Sequence, residues 1–310
     1  MGPDLLPWLL EGDPAIRWQT QRDLQGKARR VWQAERARTA TEGWGADLLA
    51  RQDANGGWGG GVYSPKWTSA TYTLLTLCDI GLPGDNAAAR RGATHAIDAL
   101  LGERVDEAFN RKLAELDRCI VGMMLRIGMI YGIDAARIEA IVANLLSEGM
   151  PDGGWNCRKH RRPYPHHSSF HTTLNVLEGL REYIELGGPR ATEAKAAEAG
   201  ALELLAQHRL FRSDHTGDII RPEFTRFAFP PRWHYDAFRA LELLRAPARR
   251  ATRVWARRLS CCARSARPMG GGGSPTNTVG GCSSIWRRAA SQAAGTPSAL
   301  CASCAGGETE

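Results

Sequence analysis

ELDRCIVGMMLRIGMIYGI at residues 115–133 and SSFHTTLNVLEGL at residues 168–180 decide the fold, together with the turn PDGGWNC at residues 151–157 between them. Each long segment is apolar almost all round a helix, which predicts two buried helices. The segment between them, residues 135–146, is apolar on one face only, which predicts a helix on the outside. The unit is therefore an outer helix, a glycine turn and an inner helix.

The unit recurs along the chain. An earlier copy has a helix from residue 46, the turn NGGWGGG at residues 55–61 and the apolar segment SPKWTSATYTLLTLCDIGL at residues 64–82. A later copy has a helix near residues 194–207, an irregular loop and PPRWHYDAFRALELLRA at residues 230–246. Self-similarity at this period, with two helices per unit, is typical of helical repeat arrays. In this register Thr68, Cys119, His171 and His234 each open an inner helix.

These repeats predict an all-α protein, an α/α barrel (toroid) of helical hairpins. Residues 1–40 are predicted to form two preceding helices, a short one at 4–10 and one that begins after the N-cap Asp13 with Pro14 in its first turn. The barrel is expected over residues 41–246.

Residues 247–310 differ from the rest, mixing glycine runs, arginine pairs and cysteines without an apolar period. Read one nucleotide earlier, the codons around Met269 can encode Pro-Asp-Gly-Arg-Trp, a further copy of the turn at 151–155. We therefore interpret this tail as a frameshifted and disordered stretch that replaces the last repeat of the barrel. The alternative is a natural low-complexity tail.

The net charge of +7 comes from that tail, which contains nine Arg and two acidic residues. The rest of the chain is neutral, so nothing predicts a nucleic-acid partner. No apolar run approaches the roughly 18 residues of a membrane span, and the N-terminus lacks the features of a signal peptide. A cytoplasmic protein is expected.

The motif Gln52-x-x-x-Gly56-x-Trp58 and its shorter copy Gly153-x-Trp155 resemble the QW motif of squalene and oxidosqualene cyclases. Over residues 40–245 the chain resembles the superfamily of terpenoid cyclases and protein prenyltransferase β subunits. The resemblance implies an isoprenoid or other hydrophobic ligand, or a thiol substrate. It also implies a separate helical partner subunit, which this sequence does not supply.

Zinc sites use thiolate, imidazole and carboxylate ligands, and catalytic ones keep a position open. Prenyltransferase β subunits have an Asp-x-Cys at one inner helix and a His at the next. Asp117, Cys119 and His171 match that set, so the resemblance implies zinc here, with Cys157 and His167 as further candidates. His167 precedes His171 by one helical turn. The other interpretation is a buried Cys119 and a His171 that caps its helix.

Several residues are candidates for binding an anionic group of the substrate at the same mouth of the barrel, where aligned helix N-termini favour negative charge. They are Arg111, Arg158, Lys159, Arg161, Arg162 and His234. Arg111 matches a diphosphate-binding Arg of the prenyltransferases, whereas Ala114 stands in place of their Lys and Ile120 in place of a Tyr. A solvated basic loop is the other interpretation of residues 158–162.

The leading functional prediction is a zinc-dependent, prenyltransferase-like enzyme, although no catalytic residue is assigned. One alternative is an α/α barrel that binds a hydrophobic ligand without catalysis. Another is a terpenoid-cyclase-like enzyme, but the Asp-x-Asp-Asp acid of those cyclases is missing from the sequence.

Overall fold

The computed structural model describes residues 5–245, and the interpretation of residues 247–310 lies outside them. These residues form helices and no β-strand. The all-α prediction is confirmed for this part of the chain, while the closed α/α barrel remains a prediction. The helices are α1 (Leu5–Leu10), α2 (Pro14–Asp23), α3 (Arg29–Ala37), α4 (Gly43–Ala50), α5 (Ala70–Asp79), α6 (Ala87–Leu100), α7 (Glu107–Glu115), α8 (Arg118–Tyr131), α9 (Ala135–Ser147), α10 (Phe170–Glu185), α11 (Ala191–Gln207) and α12 (Ala237–Arg245), with 3₁₀ turns at Arg38–Ala40 and Pro222–Thr225. Among the described helices, none has the length and hydropathy needed to cross a bilayer.

The helix starts follow from local capping chemistry. Asp13 accepts a hydrogen bond from the backbone N–H of Ala15 at 2.8 Å, with Pro14 in the first turn of α2, as the sequence predicts. Asn86, Asp106, Asp134 and Ser169 cap α6, α7, α9 and α10 through their side chains. Such caps satisfy backbone donors that a helix leaves unpaired at its N-terminus. The helix α3 is an addition to the two helices expected before residue 40.

The two glycine-tryptophan turns have the same hydrogen bonds. The Trp58 indole donates to the Leu48 carbonyl at 2.8 Å, and the Trp155 indole donates to the Leu145 carbonyl at 2.7 Å. In each turn the first glycine has a positive φ, 88° at Gly56 and 96° at Gly153, a conformation that glycine adopts without strain. Each turn therefore ties the end of one helix to the approach of the next.

The helices α8 and α10 pack against each other over their length and are buried on most sides, as predicted for inner helices. Glycines allow this close approach. A Cβ on Gly122 would lie 2.7 Å from the Asn175 carbonyl oxygen, and one on Gly179 would lie 2.6 Å from the Gly122 oxygen. Such distances leave no room for a side chain, so the packing depends on these two positions.

The described residues separate into two compact units. One contains residues 5–201 and 228–234 and includes α1–α10. The other contains residues 202–227 and 235–245, where the Tyr235 hydroxyl donates to the Leu210 carbonyl at 2.6 Å and its ring meets Phe224 edge-on. The predicted domain boundaries at residues 40 and 246 remain predictions.

The predicted register of the inner helices is correct at two positions and wrong at two others. Cys119 and His171 lie in the first turns of α8 and α10. Thr68 instead precedes α5, because Ser69 is the N-cap there, and His234 precedes α12, which begins at Ala237. The chain has a left-handed conformation one residue before Thr68, with φ of 79° at Trp67, and two residues before His234, with φ of 58° at Arg232.

Candidate metal centre

Cys119 and Cys157 come together at the start of α8. Cys119 lies in the first helical turn, and Cys157 lies in the loop between α9 and α10. The backbone N–H of Cys119 donates to the Cys157 sulfur at 3.3 Å, and the Thr172 hydroxyl lies 3.2 Å from the same sulfur. The first turn of α8 thus holds the loop through a hydrogen bond to the Cys157 sulfur.

Asp117 completes the group. It is the N-cap residue of α8, yet its carboxylate makes no capping hydrogen bond and so is directed elsewhere. One ligand atom from each of Asp117, Cys119 and Cys157 lies within 4.8 Å of the others, and all three residues are half-buried. One carboxylate and two sulfurs in this arrangement could hold a metal ion.

The two thiols have different acidities. A hydrogen bond from the Cys119 thiol is the largest effect that lowers the pKa of Cys157, to about 7, and the hydrogen bond from Thr172 acts in the same direction. The same bond, followed by burial, raises the pKa of Cys119 far above its ordinary value. Near neutral pH Cys157 is therefore partly present as a thiolate, the form of cysteine that binds metals and reacts as a nucleophile.

Two carboxylates pair with basic side chains of the loop beside this group. Arg161 donates to the Asp117 carboxylate. His160 contacts Glu148 at 2.7 Å, and Lys159 lies 3.6 Å from the same carboxylate. Although burial raises the pKa of Glu148, these two basic side chains lower it below its ordinary value.

A small cleft opens next to Cys157, with a volume of about 310 Å³ including open solvent. Of the residues expected to bind an anion, Lys159 and Arg161 line it. The full lining consists of Ala114, Glu115, Leu116, Arg118, Glu148, Asn156, Cys157, Lys159, His160 and Arg161. Solvent therefore reaches Cys157 through a cleft whose lining residues are mostly polar.

The other predicted anion-binding residues do not line this cleft. Arg111 is exposed on α7. Arg158 is also exposed, and Arg162 places its guanidinium 5.6 Å from the ring of Tyr164. His234 is exposed and stacks on Trp233, with ring centres 4.0 Å apart.

His171 is not part of the ligand group that the described residues form. Its ring lies edge-on to Trp233, with ring centres 5.1 Å apart, and close to His234 at 5.9 Å. The expected helical spacing between His167 and His171 is wrong, because Ser169 caps α10 and leaves His167 before the helix. Cys157, a secondary candidate in the sequence, thus takes a central place.

Arg118 is the main residue of this region that the sequence did not single out. Its side chain is buried and donates to the carbonyl oxygens of Leu113, at 2.7 Å, and Ala114, at 2.8 Å. The guanidinium therefore satisfies carbonyl oxygens at the C-terminus of α7, where positive charge is favoured. Burial lowers the pKa of Arg118. The Asp-Arg-Cys motif thus links α7 to the ligand group.

None of the family models, curated proteins or solved structures compared with this chain matches it.

Proposed function

We propose that this protein is a zinc-dependent enzyme resembling protein prenyltransferase β subunits, with an α/α-barrel fold and a thiol or isoprenoid substrate. The observation that carries the proposal is the group formed by Asp117, Cys119 and Cys157, whose ligand atoms lie within 4.8 Å of one another. The equivalent turns at Trp58 and Trp155 support the repeat on which the barrel rests.

The donor set fits a catalytic zinc ion. With Zn–S bonds of about 2.3 Å, the ligand atoms of a tetrahedral site lie about 3.5–3.8 Å apart. The three ligand atoms lie within 4.8 Å of one another, so the group needs to contract by at most about 1 Å. Cys157 lies in a loop, which can supply that movement. Three protein ligands leave a fourth position for a substrate, which is the arrangement of catalytic rather than structural zinc.

Zinc bound here would lower the pKa of a substrate thiol and favour its thiolate. The neighbouring residues of the chain have separate roles. The Thr172 hydroxyl and the Cys119 N–H orient the Cys157 sulfur. Lys159 and Arg161 line the cleft beside it, where an anionic part of a substrate can replace Glu148 and Asp117 as their partner. Lys159 shares that cleft with Ala114, the position at which the prenyltransferases have their Lys.

Zinc content of the purified full-length chain tests the proposal, together with the variants Asp117→Ala, Cys119→Ala, Cys157→Ala and His171→Ala. We expect about one zinc per chain in the parent protein, since the group offers one site. Zinc should be lost in both cysteine variants and weakened in Asp117→Ala. Cys78→Ala is the matched control, because Cys78 is buried in α5 outside the group.

Retention of zinc in His171→Ala is the result that distinguishes the ligand set proposed here from the one expected from the sequence. A zinc-free parent protein would contradict the enzyme proposal.

A cluster of aromatic and histidine side chains favours the second candidate, a barrel that binds a hydrophobic ligand without catalysis. Trp67 is exposed and lies edge-on to Tyr72, with ring centres 5.0 Å apart. The Arg232 guanidinium lies over the Trp67 ring, 4.3 Å from its centre. The indole N–H of Trp233 is buried without an acceptor among the described residues. Quenching of tryptophan fluorescence by a prenyl alcohol in zinc-free protein would support this candidate, and its absence would exclude it.

A further inference from the structure

Two of the three cysteines in the described part of the chain are neighbours in space, although 38 positions separate them in sequence. Cys119 and Cys157 are half-buried, whereas Cys78 is buried. Cys157 also lines the solvent-accessible cleft. A small polar oxidant can therefore reach the pair, while the Cys78 sulfur is shielded by the packing of α5.

The distances favour a bond between the two sulfurs. They lie within 4.8 Å of each other, and the Cys157 sulfur already lies 3.3 Å from the backbone nitrogen of Cys119. A disulfide has an S–S bond of about 2.05 Å and tolerates a Cα separation from about 4.4 to 6.8 Å. The sulfurs therefore need to approach by up to about 2.7 Å, the difference between these lengths.

Cys157 alone can supply that movement. Cys119 is fixed in α8, where the residues that follow it, Ile120 and Val121, are buried. Cys157 belongs to the loop between α9 and α10, and its sulfur makes hydrogen bonds with the Cys119 N–H and the Thr172 hydroxyl. Breaking the Thr172 contact and turning Cys157 about its χ1 bond moves its sulfur without requiring a change in the backbone of α8 or α10.

We propose that Cys119 and Cys157 form a reversible disulfide when the protein meets hydrogen peroxide. One thiol attacks the peroxide, giving a sulfenic acid and water. The second thiol then attacks that sulfur, giving the disulfide and a second water. Two electrons pass from the two sulfurs to the peroxide, and a dithiol reductant reverses the change.

The disulfide has a consequence for the proposed zinc site, and this consequence rests on the proposed function. A sulfur in a disulfide is no longer a thiolate, so oxidation removes two of the three ligands. Zinc binding and the disulfide exclude each other. Zinc should slow the oxidation, and oxidation should release one zinc for each disulfide formed.

Peptide mapping of the full-length chain tests the disulfide directly, since trypsin separates the two cysteines. Cys119 falls in the peptide 119–126 and Cys157 in the peptide 138–158, each with a single cysteine. Zinc-free protein is treated with hydrogen peroxide at low protein concentration, the remaining thiols are alkylated, and the monomer is digested without reduction.

We expect the linked pair 119–126 with 138–158, its disappearance after dithiothreitol, and its absence from Cys119→Ser and Cys157→Ser. Cys78→Ser should form the link as the parent does. Peroxide treatment that leaves both thiols free, or oxidises them without linking them, would overturn the inference. A link from either residue to another cysteine would overturn it as well. Formation of the disulfide in a protein that binds no zinc would refute the proposed function and leave this inference intact.

Discussion

The hydrogen bond from the Cys119 thiol contributes most to the acidity of Cys157, and the substitution Cys119→Ala removes it. The thiol of Cys119 is the largest effect that lowers the pKa of Cys157 to about 7. The backbone N–H of residue 119 and the Thr172 hydroxyl remain in the variant. A charge-assisted hydrogen bond of about 1.5 kcal/mol corresponds to about one pH unit. We therefore expect the titration of Cys157 to move about one pH unit to the alkaline side, so that its thiolate fraction at pH 7 falls roughly fivefold.

The rate at which iodoacetamide alkylates the peptide 138–158 measures that fraction, because the thiolate is the reactive form. Zinc-free protein is assayed over pH 5–9, and the midpoint of the rate against pH is compared between variants. Cys119→Ser is the matched control, since its hydroxyl keeps a donor beside the sulfur and should move the midpoint less. Cys78→Ala should leave it unchanged. A midpoint in Cys119→Ala equal to that of the parent protein would refute this account of the thiol pair.

Three further predictions concern the scaffold and the ion pair at the site. Trp155→Phe removes the indole donor from the Leu145 carbonyl and should lower the free energy of unfolding by about 1–3 kcal/mol in urea titrations. Trp58→Phe should lower it similarly at the other turn. An unchanged free energy of unfolding in either variant would contradict the stabilising role of the two indole hydrogen bonds. Gly122→Ala forces a Cβ against α10 and should cost about 1–3 kcal/mol, whereas Gly149→Ala, which meets no atom closer than 3.9 Å, should be tolerated in the same thermal melts. Arg161→Gln releases the Asp117 carboxylate from a partly exposed ion pair worth up to about 1 kcal/mol. Zinc should therefore bind up to about fivefold more tightly, as measured by competition with a chelator. Weaker zinc binding would contradict the prediction and mean that Arg161 supports Asp117 as a ligand.

Much of the scaffold follows from local sequence signals. The N-cap at Asp13, the glycine turns before Trp58 and Trp155, and the uninterrupted apolar character of α8 and α10 are all decided by residues close in sequence. For the same reason the sequence predicts Cys119 at the start of a buried helix, and it lies there. Capping and hydrophobic period set where a helix lies and which side is buried.

The ligand group could be predicted only in part, because a loop determines it. The loop from Cys157 to α10 has no hydrophobic period. A tertiary hydrogen bond holds its end in place, because the Asp152 carboxylate accepts from the backbone N–H of Ser168 at 2.7 Å. Helical spacing cannot predict that contact, so the sequence favours His171 over Cys157 as a metal ligand. The spacing places His171 in the first turn of its helix, while its ring contacts Trp233, which is distant in sequence.

Substitution of cobalt(II) for zinc tests the central claim most directly, because absorption from thiolate to cobalt reports the sulfur ligands. If Asp117, Cys119 and Cys157 hold the metal, the full-length protein should bind one cobalt with two thiolates. Cys119→Ala or Cys157→Ala should lose about half of the thiolate absorption or the metal itself, since each removes one of two sulfurs. The spectrum of His171→Ala should match that of the parent protein. A cobalt complex whose thiolate absorption survives Cys157→Ala undiminished but changes in His171→Ala would contradict the account.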